Sequence, residues 1–336
     1  MLFLNAQEIR QAVSPEEMMA AVEEAYRLFT AGQCVMADRV AVSHGGLSML
    51  YMPCFAGAYV STKILASCPE NPARGLPALD GVVLLNRADT GQLEAILDGA
   101  AVTALRTGAV GGVAARHLAR ADARTAGLVG CGVQGLHQLA FVCAVREIHA
   151  IYLRQTPGRD LTEFIRQLRA MISPRQPEIV LCPSADDVLK NCDIVITATP
   201  SRQPLFSDDP ALFRGKCILA IGSWQPDMRE IPDAVFDPAE EVFIELPYAC
   251  QESGDLSQPL ASGVLTRDRV RLFGDFLADK AAGTPPPLGE TRYFKSVGMG
   301  VFDTLAAQAI LQAARKKGLG QQINEQTASA SLDPVR

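Results

Sequence analysis

The sequence predicts an α/β protein built around a doubly wound parallel sheet, and three features of the residue pattern support this fold class. From residue 126 onward, short apolar runs alternate with helical segments, as they do where helices cover both faces of a parallel sheet. A glycine-rich segment, Gly130–Gly135 (GCGVQG), joins the first of these apolar runs to the first helix. Upstream, residues 40–97 form short β-like runs broken by glycine and proline, which indicates a second, mostly antiparallel sheet.

The N-terminal part begins with a helix and continues as strands. Ser14 is a suitable N-cap for a helix that starts at Pro15, carries acidic residues in its first turn and ends near Gly32. Strands are expected at four segments, namely Leu47–Met52, Tyr59–Leu65, Gly81–Asn86 and Gln92–Leu97. The alanine-rich segment Ala101–Leu118 is periodic and predicts a helix that leads into the next domain.

The alternating segments downstream supply the elements of the parallel sheet. Six apolar segments predict its strands: Ala126–Gly130, His149–Leu153, Glu178–Leu181, Asp193–Ala198, Cys217–Ile221 and Glu241–Glu245. Helices are predicted between the earlier strands at Val133–Arg146, Asp160–Met171 and Ala185–Lys190. A closing helix is predicted over Ser296–Lys316, and a loose polar tail follows it.

Composition narrows the classes of function. A chain of 336 residues is long enough for two domains. The net charge of −6 and the scattered basic residues argue against nucleic acid or an anionic membrane as a partner, so a small molecule is the expected ligand. No signal-peptide pattern opens the sequence and no apolar run approaches the ~20 residues that span a bilayer, so we expect a cytoplasmic location. The nine cysteines are isolated and the four histidines dispersed, which indicates reduced thiols and no metal site.

The segment Gly130–Gly135 has the spacing of a dinucleotide-binding loop, and it lies in the strand–turn–helix context that such loops require. Gly130 permits the tight turn, Gly132 lets the backbone approach a pyrophosphate, and Gly135 lets the helix pack closely on the strand. The free N–H groups at the start of the helix favour phosphate binding. We interpret Cys131 as a small residue that fills the turn rather than as a thiol nucleophile.

The residues after the second predicted strand bear on which dinucleotide is bound. In NAD-binding proteins an acidic residue near the end of this strand binds the ribose 2′-hydroxyl. Here the strand runs into Arg154, and no acidic residue occurs before Asp160. Arg154, with Thr156 or Arg159, suits the 2′-phosphate of NADP instead. NADP(H) is therefore favoured, NAD(H) stays an alternative, and a solvated loop arginine is the other interpretation of Arg154.

An ordered set of motifs resembles one known family over roughly residues 5 to 315. The motifs are Lys63, Pro69–Pro72, Gly75–Pro77, Thr90-Gly91, Thr103–Thr107, the GCGVQG loop, Thr197–Pro200, Ile221–Ser223 and Lys295–Gly298. In this order and spacing the sequence resembles the ornithine cyclodeaminase/mu-crystallin family. Each motif alone is unspecific, and the order of the whole set carries the resemblance.

The resemblance implies a Rossmann-type doubly wound domain inserted in a discontinuous α+β domain that binds substrate and dimerises. We place the substrate-binding and dimerisation domain at residues 1–118 plus 296–330, and the dinucleotide-binding domain at residues 119–295. The resemblance also implies a homodimer and a substrate that is an amino or imino acid.

The resemblance further implies a substrate site with three basic residues. Arg39, Lys63 and Arg106 match the family's residues that hold the substrate carboxylate, and we take Lys63 and Arg106 as the catalytic pair. Guanidinium and ammonium groups suit a carboxylate, although each residue taken singly is also compatible with a surface or helix-end charge. The residues expected at the cofactor are Thr107, Gly130, Gly132, Val133, Gln134, Gly135, Arg154, Thr156, Thr197, Ala198, Thr199, Gly222, Ser223 and Gly298.

The chain departs from the cyclodeaminase pattern at two acidic positions. Cyclodeaminases carry an aspartate just after the fifth-strand glycine, where this sequence has Trp224, and an acid before a Met-Pro pair, where residues 48–53 contain none. The segment Pro226–Glu230 (PDMRE) instead resembles the ketimine-reductase branch of the family. An apolar pocket walled by Leu50, Tyr51 and Trp224 suits a cyclic imine, and simple packing is the other interpretation of Trp224.

The function expected from this resemblance is NAD(P)H-dependent reduction of cyclic imino acids to L-amino acids, with Lys63 or a bound water as the proton donor. Three alternatives stay open. The first is an alanine-type amino-acid dehydrogenase, and the second is a cyclodeaminase lyase with bound NAD. The third, which the three basic residues disfavour, is a dinucleotide-binding protein without turnover.

Overall fold

The chain forms two compact units in a computed structural model that describes residues 1–156, 158–285 and 287–323. The first unit contains residues 1–17, 33–103 and 300–323, and the second contains the described residues of 18–32 and 104–299. The polar tail from residue 324, which includes the last part of the expected substrate domain, lies outside the described residues.

The described residues form sixteen strands and ten α-helices. The strands are β1 (Leu2–Leu4), β2 (Cys34–Met36), β3 (Val40–His44), β4 (Leu47–Ala56), β5 (Tyr59–Ser67), β6 (Leu79–Arg87), β7 (Leu93–Asp98), β8 (Thr125–Val129), β9 (Ala150–Arg154), β10 (Glu178–Cys182), β11 (Ile194–Thr197), β12 (Cys217–Ala220), β13 (Val242–Ile244), β14 (Val270–Leu272), β15 (Arg292–Lys295) and β16 (Gln321–Gln322). The helices are α1 (Ala6–Ala12), α2 (Pro15–Thr30), α3 (Gly99–Leu118), α4 (Val133–Val145), α5 (Thr162–Ile172), α6 (Ala185–Asn191), α7 (Ala249–Glu252), α8 (Gly254–Ser262), α9 (Phe273–Ala281) and α10 (Gly300–Lys317).

The first unit is built on the sheet β16-β1-β7-β6-β5-β4-β2, with β3 paired to β4. Its pairs are antiparallel except β1 with β7, so the prediction of a mostly antiparallel sheet is confirmed. Helix α10 packs on β4 and β5, and the alternation of side chains along β5 turns Ser61, Lys63 and Leu65 into the buried side of the sheet. Gly300 allows this close packing, because a Cβ at that position would lie 3.1 Å from Cβ of Cys54.

The second unit is built on a wholly parallel sheet of eight strands in the order β10-β9-β8-β11-β12-β15-β13-β14. Every residue of β11 and of β12 is buried, as expected for central strands covered on both faces. The strand order reverses between β8 and β11, and ligands of such sheets bind outside the carboxyl ends of the strands at this point. The predicted α/β fold class, with its doubly wound sheet, is confirmed.

The division into units differs from the bounds drawn from the sequence. Residues 18–32 and 104–118 belong to the second unit, where helix α3 packs closely on both α2 and α4. A Cβ at Gly111 would lie 1.7 Å from Oε1 of Gln138, and a Cβ at Gly108 would lie 2.7 Å from Cδ2 of Phe141. At the other end the second unit extends to residue 299. The substrate and dinucleotide roles of the two units stay predictions.

Candidate active site and dinucleotide loops

The glycine-rich loop connects β8 to α4 at the switch point of the parallel sheet. Gly130 has a φ of 110°, and a Cβ there would lie 2.4 Å from the carbonyl oxygen of Ala198. A Cβ at Gly135 would lie 2.2 Å from the carbonyl oxygen of Gly130, so larger residues do not fit at either position. Gly132 is the N-cap of α4, and a Cβ there would meet nothing within 4 Å, which leaves room for a phosphate at the start of the helix.

A second observation at this loop also fits a bound dinucleotide. Oε1 of Gln134 is buried and has no hydrogen-bond partner among the described residues. Val133 beside it is 64% exposed at the first helical position, where N–H groups lack partners within the helix. The loop thus combines open backbone donors, a close glycine-to-helix contact and an unused buried acceptor.

Cys131 lies within the loop but is only 4% exposed. Burial raises the pKa of its thiol to about 11, so the sulfur is protonated at neutral pH. The thiol contacts the carbonyl oxygen of Arg154 at 3.8 Å. These observations favour the packing role for Cys131 over a nucleophilic one.

The segment after β9 carries the residues expected at the adenosine ribose. The guanidinium of Arg154, at the end of β9, donates to the carbonyl oxygen of Gln155, and Thr156 is exposed. Nη2 of Arg159 donates to the carbonyl oxygen of Cys131 at 2.5 Å. Arg159, rather than Arg154, is therefore the arginine whose side chain is bonded to the glycine loop.

Glu230 joins the loops that follow β11 and β12, and its role was not predicted from the sequence. Its Oε1 accepts hydrogen bonds from the backbone N–H of Thr199 at 2.6 Å and from the hydroxyl of Thr199 at 2.8 Å. Its Oε2 accepts from the hydroxyl of Thr197 at 2.9 Å and from the backbone N–H of Gly222 and Ser223 at 2.8 and 3.2 Å. Five donors therefore converge on one carboxylate that is fully buried.

Asp255 and Lys295 hold Glu230 in place. Oδ1 of Asp255 accepts from the backbone N–H of Glu230 at 2.7 Å, and its Oδ2 accepts from Nζ of Lys295 at 3.0 Å. All three side chains are buried. Burial and the neighbouring Asp255 raise the pKa of Glu230, whereas Lys295 and the Thr199 donors act in the opposite direction.

Glu245 holds the loop after β15 beside Arg106, and this residue was also missed. It accepts from the hydroxyl of Ser296 at 2.7 Å and from the backbone N–H of Val297 and Gly298 at 3.0 and 2.6 Å. Burial raises the pKa of Glu245, while these hydrogen bonds and the charge of Arg106 lower it. Arg106 is 5% exposed, and a Cβ at Gly298 would lie 2.7 Å from its Nη1, so this loop packs directly on the guanidinium.

Several side chains predicted at the cofactor are hydrogen-bonded within the second unit. The hydroxyl of Ser223 donates to the carbonyl oxygen of Met228 at 2.7 Å, and those of Thr197 and Thr199 donate to Glu230. The carbonyl oxygen of Thr107 accepts from Nε2 of Gln138 at 2.6 Å. Ala198 and Gly222 are half-buried in the same two loops, as is Trp224 just after them. The hydroxyl protons of Thr197, Thr199 and Ser223 are therefore already used in hydrogen bonds within the second unit.

The first unit contains a buried ion pair at Lys63. Its Nζ lies 2.7 Å from Oδ2 of Asp303 on α10, and the two side chains are 2% and 0% exposed. Beside them the hydroxyls of Ser61 and Thr304 are 2.7 Å apart. Two other residues predicted at the substrate also belong to this unit: Leu50 is buried on β4, and Arg39 is half-buried between β2 and β3.

Neither a membrane-spanning helix nor a metal-binding cluster occurs in the part of the chain that the structure describes. None of its helices combines the length and the apolar character needed to cross a bilayer. Its His, Cys, Asp and Glu side chains form no group of three or more that could hold a metal ion.

The fold and the glycine loop define a dinucleotide-binding α/β protein, and comparison with known proteins gives its family. A model of the ornithine cyclodeaminase/mu-crystallin family matches residues 1–318. A Delta(1)-pyrroline-2-carboxylate reductase of Bacillus cereus is 30% identical over 329 residues, which cover 96% of this chain and 99% of that protein. The chain therefore belongs to the ornithine cyclodeaminase/mu-crystallin family, as its motifs predicted.

Solved structures agree with this assignment. The Delta(1)-pyrroline-2-carboxylate reductase of Thermococcus litoralis, in complex with NADH and L-proline, has a TM-score of 0.87 and 28% identity and covers 96% of this chain and 100% of that chain. An archaeal alanine dehydrogenase dimer with bound NAD has a TM-score of 0.84 and 28% identity, with 97% and 99% of the two chains covered.

Proposed function

We propose that this protein is an NAD(P)H-dependent reductase that converts cyclic imino acids, such as 1-pyrroline-2-carboxylate or 1-piperideine-2-carboxylate, to L-amino acids. The observation that carries the proposal is the presence, in one chain, of a glycine loop fitted to a dinucleotide and of buried basic side chains at Lys63 and Arg106. The Bacillus cereus and Thermococcus litoralis relatives, which are reductases of this substrate class, support it. Imine-dependent oxidation of NADPH or NADH tests the proposal. The absence of turnover on both imines would contradict it.

The substrate is anchored by its carboxylate. Arg106 offers a planar guanidinium that suits two parallel hydrogen bonds to a carboxylate, and Lys63 and Arg39 add positive charge. Burial strengthens such interactions, since water competes less for the charged groups. Glu245 holds the loop 296–298 in place, and this loop packs on Arg106 and so fixes the position of its guanidinium. Leu50, which is buried on β4, is the residue proposed to contact the ring of the imine in the first unit, and Trp224 is the one proposed in the second.

The residues of the chain bind and orient the reactants, and the reduced nicotinamide, when bound, supplies the hydride. Gly130, Gly132 and Gly135 shape the backbone that receives the pyrophosphate. The strand-end loops held by Glu230 receive the nicotinamide half of the dinucleotide. The imine nitrogen requires a proton during reduction, and Lys63 is the proposed source.

Three observations argue against ornithine cyclodeamination. Trp224 occupies the position of the cyclodeaminase aspartate, and residues 48–53 carry no carboxylate for a distal ammonium group. In the first unit the buried carboxylate of Asp303 is already paired with Lys63.

A second candidate function, oxidation of an amino acid such as alanine, is favoured by the likeness to the archaeal alanine dehydrogenase. Alanine-dependent reduction of NAD distinguishes it from imine reduction.

NADP(H) is the proposed dinucleotide. The segment after β9 offers the two arginines, Arg154 and Arg159, and no carboxylate before Asp160. Arginine suits the doubly charged 2′-phosphate, whereas binding of a 2′-hydroxyl is favoured by an acidic residue. Nη2 of Arg159 is already bonded to the carbonyl oxygen of Cys131, which keeps its guanidinium beside the glycine loop.

We also propose that the protein is a homodimer. One side of β2, β3 and β4 is exposed and apolar, and we call it the exposed sheet face. Its residues are Val35, Val40, Val42, Leu47, Tyr51 and Phe55. Cross-strand pairing puts Val35 opposite Phe55 and Val40 opposite Tyr51, so the side chains form one continuous patch. A second copy of this chain is the proposed occupant, in keeping with the dimeric archaeal relative.

A cytoplasmic location is proposed from the thiols. All nine cysteines lie within the described residues, and all are free. Unpaired thiols in such number are typical of proteins from reducing compartments.

A further inference from the structure

The buried pair of Lys63 and Asp303 sits in an apolar part of the first unit. Strand pairing sets Lys63 opposite Met52 on β4 and Val83 on β6, and both neighbours are buried. Nζ of Lys63 lies 2.7 Å from Oδ2 of Asp303, and the two side chains are almost completely buried. An ammonium group in such surroundings is disfavoured by its loss of hydration, and a carboxylate at hydrogen-bond distance offsets that cost.

The packing of α10 fixes Asp303 relative to Lys63. Asp303 lies in the first turn of this helix, where the close contact of Gly300 with Cys54 holds the helix against β4. The hydroxyl of the next residue, Thr304, lies 2.7 Å from the hydroxyl of Ser61, which is on the same strand as Lys63. The carboxylate is thus presented to the ammonium by the backbone of a packed helix rather than by a flexible surface segment.

Two thiols are also turned to this side of the sheet, Cys54 on β4 and Cys34 on β2, together with the phenol of Tyr59 on β5. Burial raises the pKa of Cys54 to about 11, so this thiol is neutral at physiological pH. Strand β6 contributes Val83 at the position opposite Lys63. Asp303 is therefore the carboxylate that the packing of α10 places against Nζ of Lys63.

We propose that Asp303 is a positioning residue that keeps Lys63 in its ammonium form, so that Lys63 serves as the proton donor to the imine nitrogen. The proposal rests on the proposed function. In the reaction the C=N carbon gains a hydride from the dihydronicotinamide, and the electron pair of the C=N π bond moves to nitrogen. The nitrogen then forms an N–H bond with a proton from Nζ of Lys63, which keeps the electron pair of the broken bond. Lys63 regains a proton from water, so the reduction consumes one dihydronicotinamide and one proton.

The test is Asp303→Asn, which keeps the size of the side chain and removes its charge. We expect the alkaline limb of the kcat/KM profile for the imine to move down by at least about one pH unit, because Lys63 loses its proton more readily. A second readout needs no turnover. Binding of pyrrole-2-carboxylate, a planar carboxylate, is measured by calorimetry across pH and should weaken at a correspondingly lower pH. The ionisation of the substrate itself is the same for every variant, so it cancels from the comparison.

Two matched variants complete the experiment. Thr304→Val alters the same contact between α10 and β5 without changing a charge, and it should leave the alkaline limb in place. Asp303→Glu keeps the charge while shifting the carboxylate, and it should lower kcat with the limb within about 0.3 pH units of wild type. If Asp303→Asn fails to fold, Asp303→Glu decides, since a displaced limb in that variant overturns the proposal.

An alkaline limb and a binding profile that do not move in folded Asp303→Asn overturn the role of Asp303. Failure of the proposed function looks different, because the wild-type protein would then neither reduce the imines nor bind pyrrole-2-carboxylate.

Discussion

Gly298 lies against the guanidinium of Arg106 so closely that a Cβ on Gly298 would be 2.7 Å from Nη1 of Arg106. The backbone of Gly298 has a φ of 80°, which favours glycine, and its N–H donates to Glu245 at 2.6 Å. The position of the proposed carboxylate-binding arginine is therefore set by the absence of a side chain on the neighbouring loop.

Gly298→Ala tests this relationship. The added methyl group displaces Arg106, so kcat/KM for the imino acid should fall by about tenfold or more, while the dissociation constant for the dinucleotide changes by less than about threefold. Gly263→Ala is the control, because Gly263 has a φ of 81° but open space around its Cβ position. Equal losses in the two variants would assign the effect to backbone strain. Loss of dinucleotide binding alone would instead support the cofactor role that the sequence analysis expected for Gly298.

Glu230→Gln should loosen the two strand-end loops. The amide nitrogen of glutamine cannot accept hydrogen bonds, so at least one of the buried backbone N–H groups of Thr199 and Gly222 loses its acceptor. We expect a loss of about 1–3 kcal/mol in the free energy of unfolding. The KM for the dinucleotide should rise about tenfold or more, with a smaller change in the KM for the imino acid.

Glu163→Gln provides the comparison for this variant, since Glu163 is an exposed carboxylate paired with Arg166 on α5. It removes the same charge and should leave both KM values unchanged. A rise in the imino-acid KM alone in Glu230→Gln would argue against the proposed role of the two loops.

The arginines after β9 make the cofactor preference testable. Arg154→Ala and Arg159→Ala should each weaken the use of NADPH much more than that of NADH, because only NADPH carries the 2′-phosphate. The measurement is kcat/KM for the two dinucleotides with one imine at saturation. Equal losses of kcat/KM for NADPH and NADH would contradict the assignment of a 2′-phosphate site to these residues.

The exposed sheet face should hold two copies of the chain together. Phe55→Asp puts a charge within the apolar patch, so the variant should sediment as a monomer at concentrations where the wild type is a dimer. Val264→Asp, which changes an apolar residue 42% exposed on the second unit, should leave the dimer intact. A dimer that survives Phe55→Asp and Val42→Asp together would place the interface elsewhere.

The parts of the fold and site that could be predicted are those encoded locally. The tight turn at Gly130, the helix start after Gly132 and the close approach at Gly135 depend on neighbouring residues. The substrate roles of Lys63 and Arg106 rest on the family motifs and stay predictions. Glu230 and Glu245 could not be recognised, because their partners are brought to them by the sheet. Glu245, for example, binds a loop about fifty positions away along the chain.

Strands β14 and β15 were not predicted from the sequence. Strands β14 and β15 contain Arg271, Arg292 and Lys295, and charged residues obscure the apolar run of a buried strand. Lys295 is fully buried only because Asp255 pairs with it. In the sequence, Asp303 is an ordinary acidic residue in the first turn of a helix. Its contact with Lys63 could not be predicted, because it depends on the packing of α10.

The central claim is tested most directly by the oxidation of NADPH and NADH in the presence of pyrroline-2-carboxylate and of piperideine-2-carboxylate. Ornithine with NAD and alanine with NAD are run in parallel. We expect rapid imine-dependent oxidation by the wild type, and its loss in an Arg106→Ala variant that still binds the dinucleotide. The absence of turnover on both imines, with proline and ammonia formed from ornithine or NADH formed from alanine, would contradict the account.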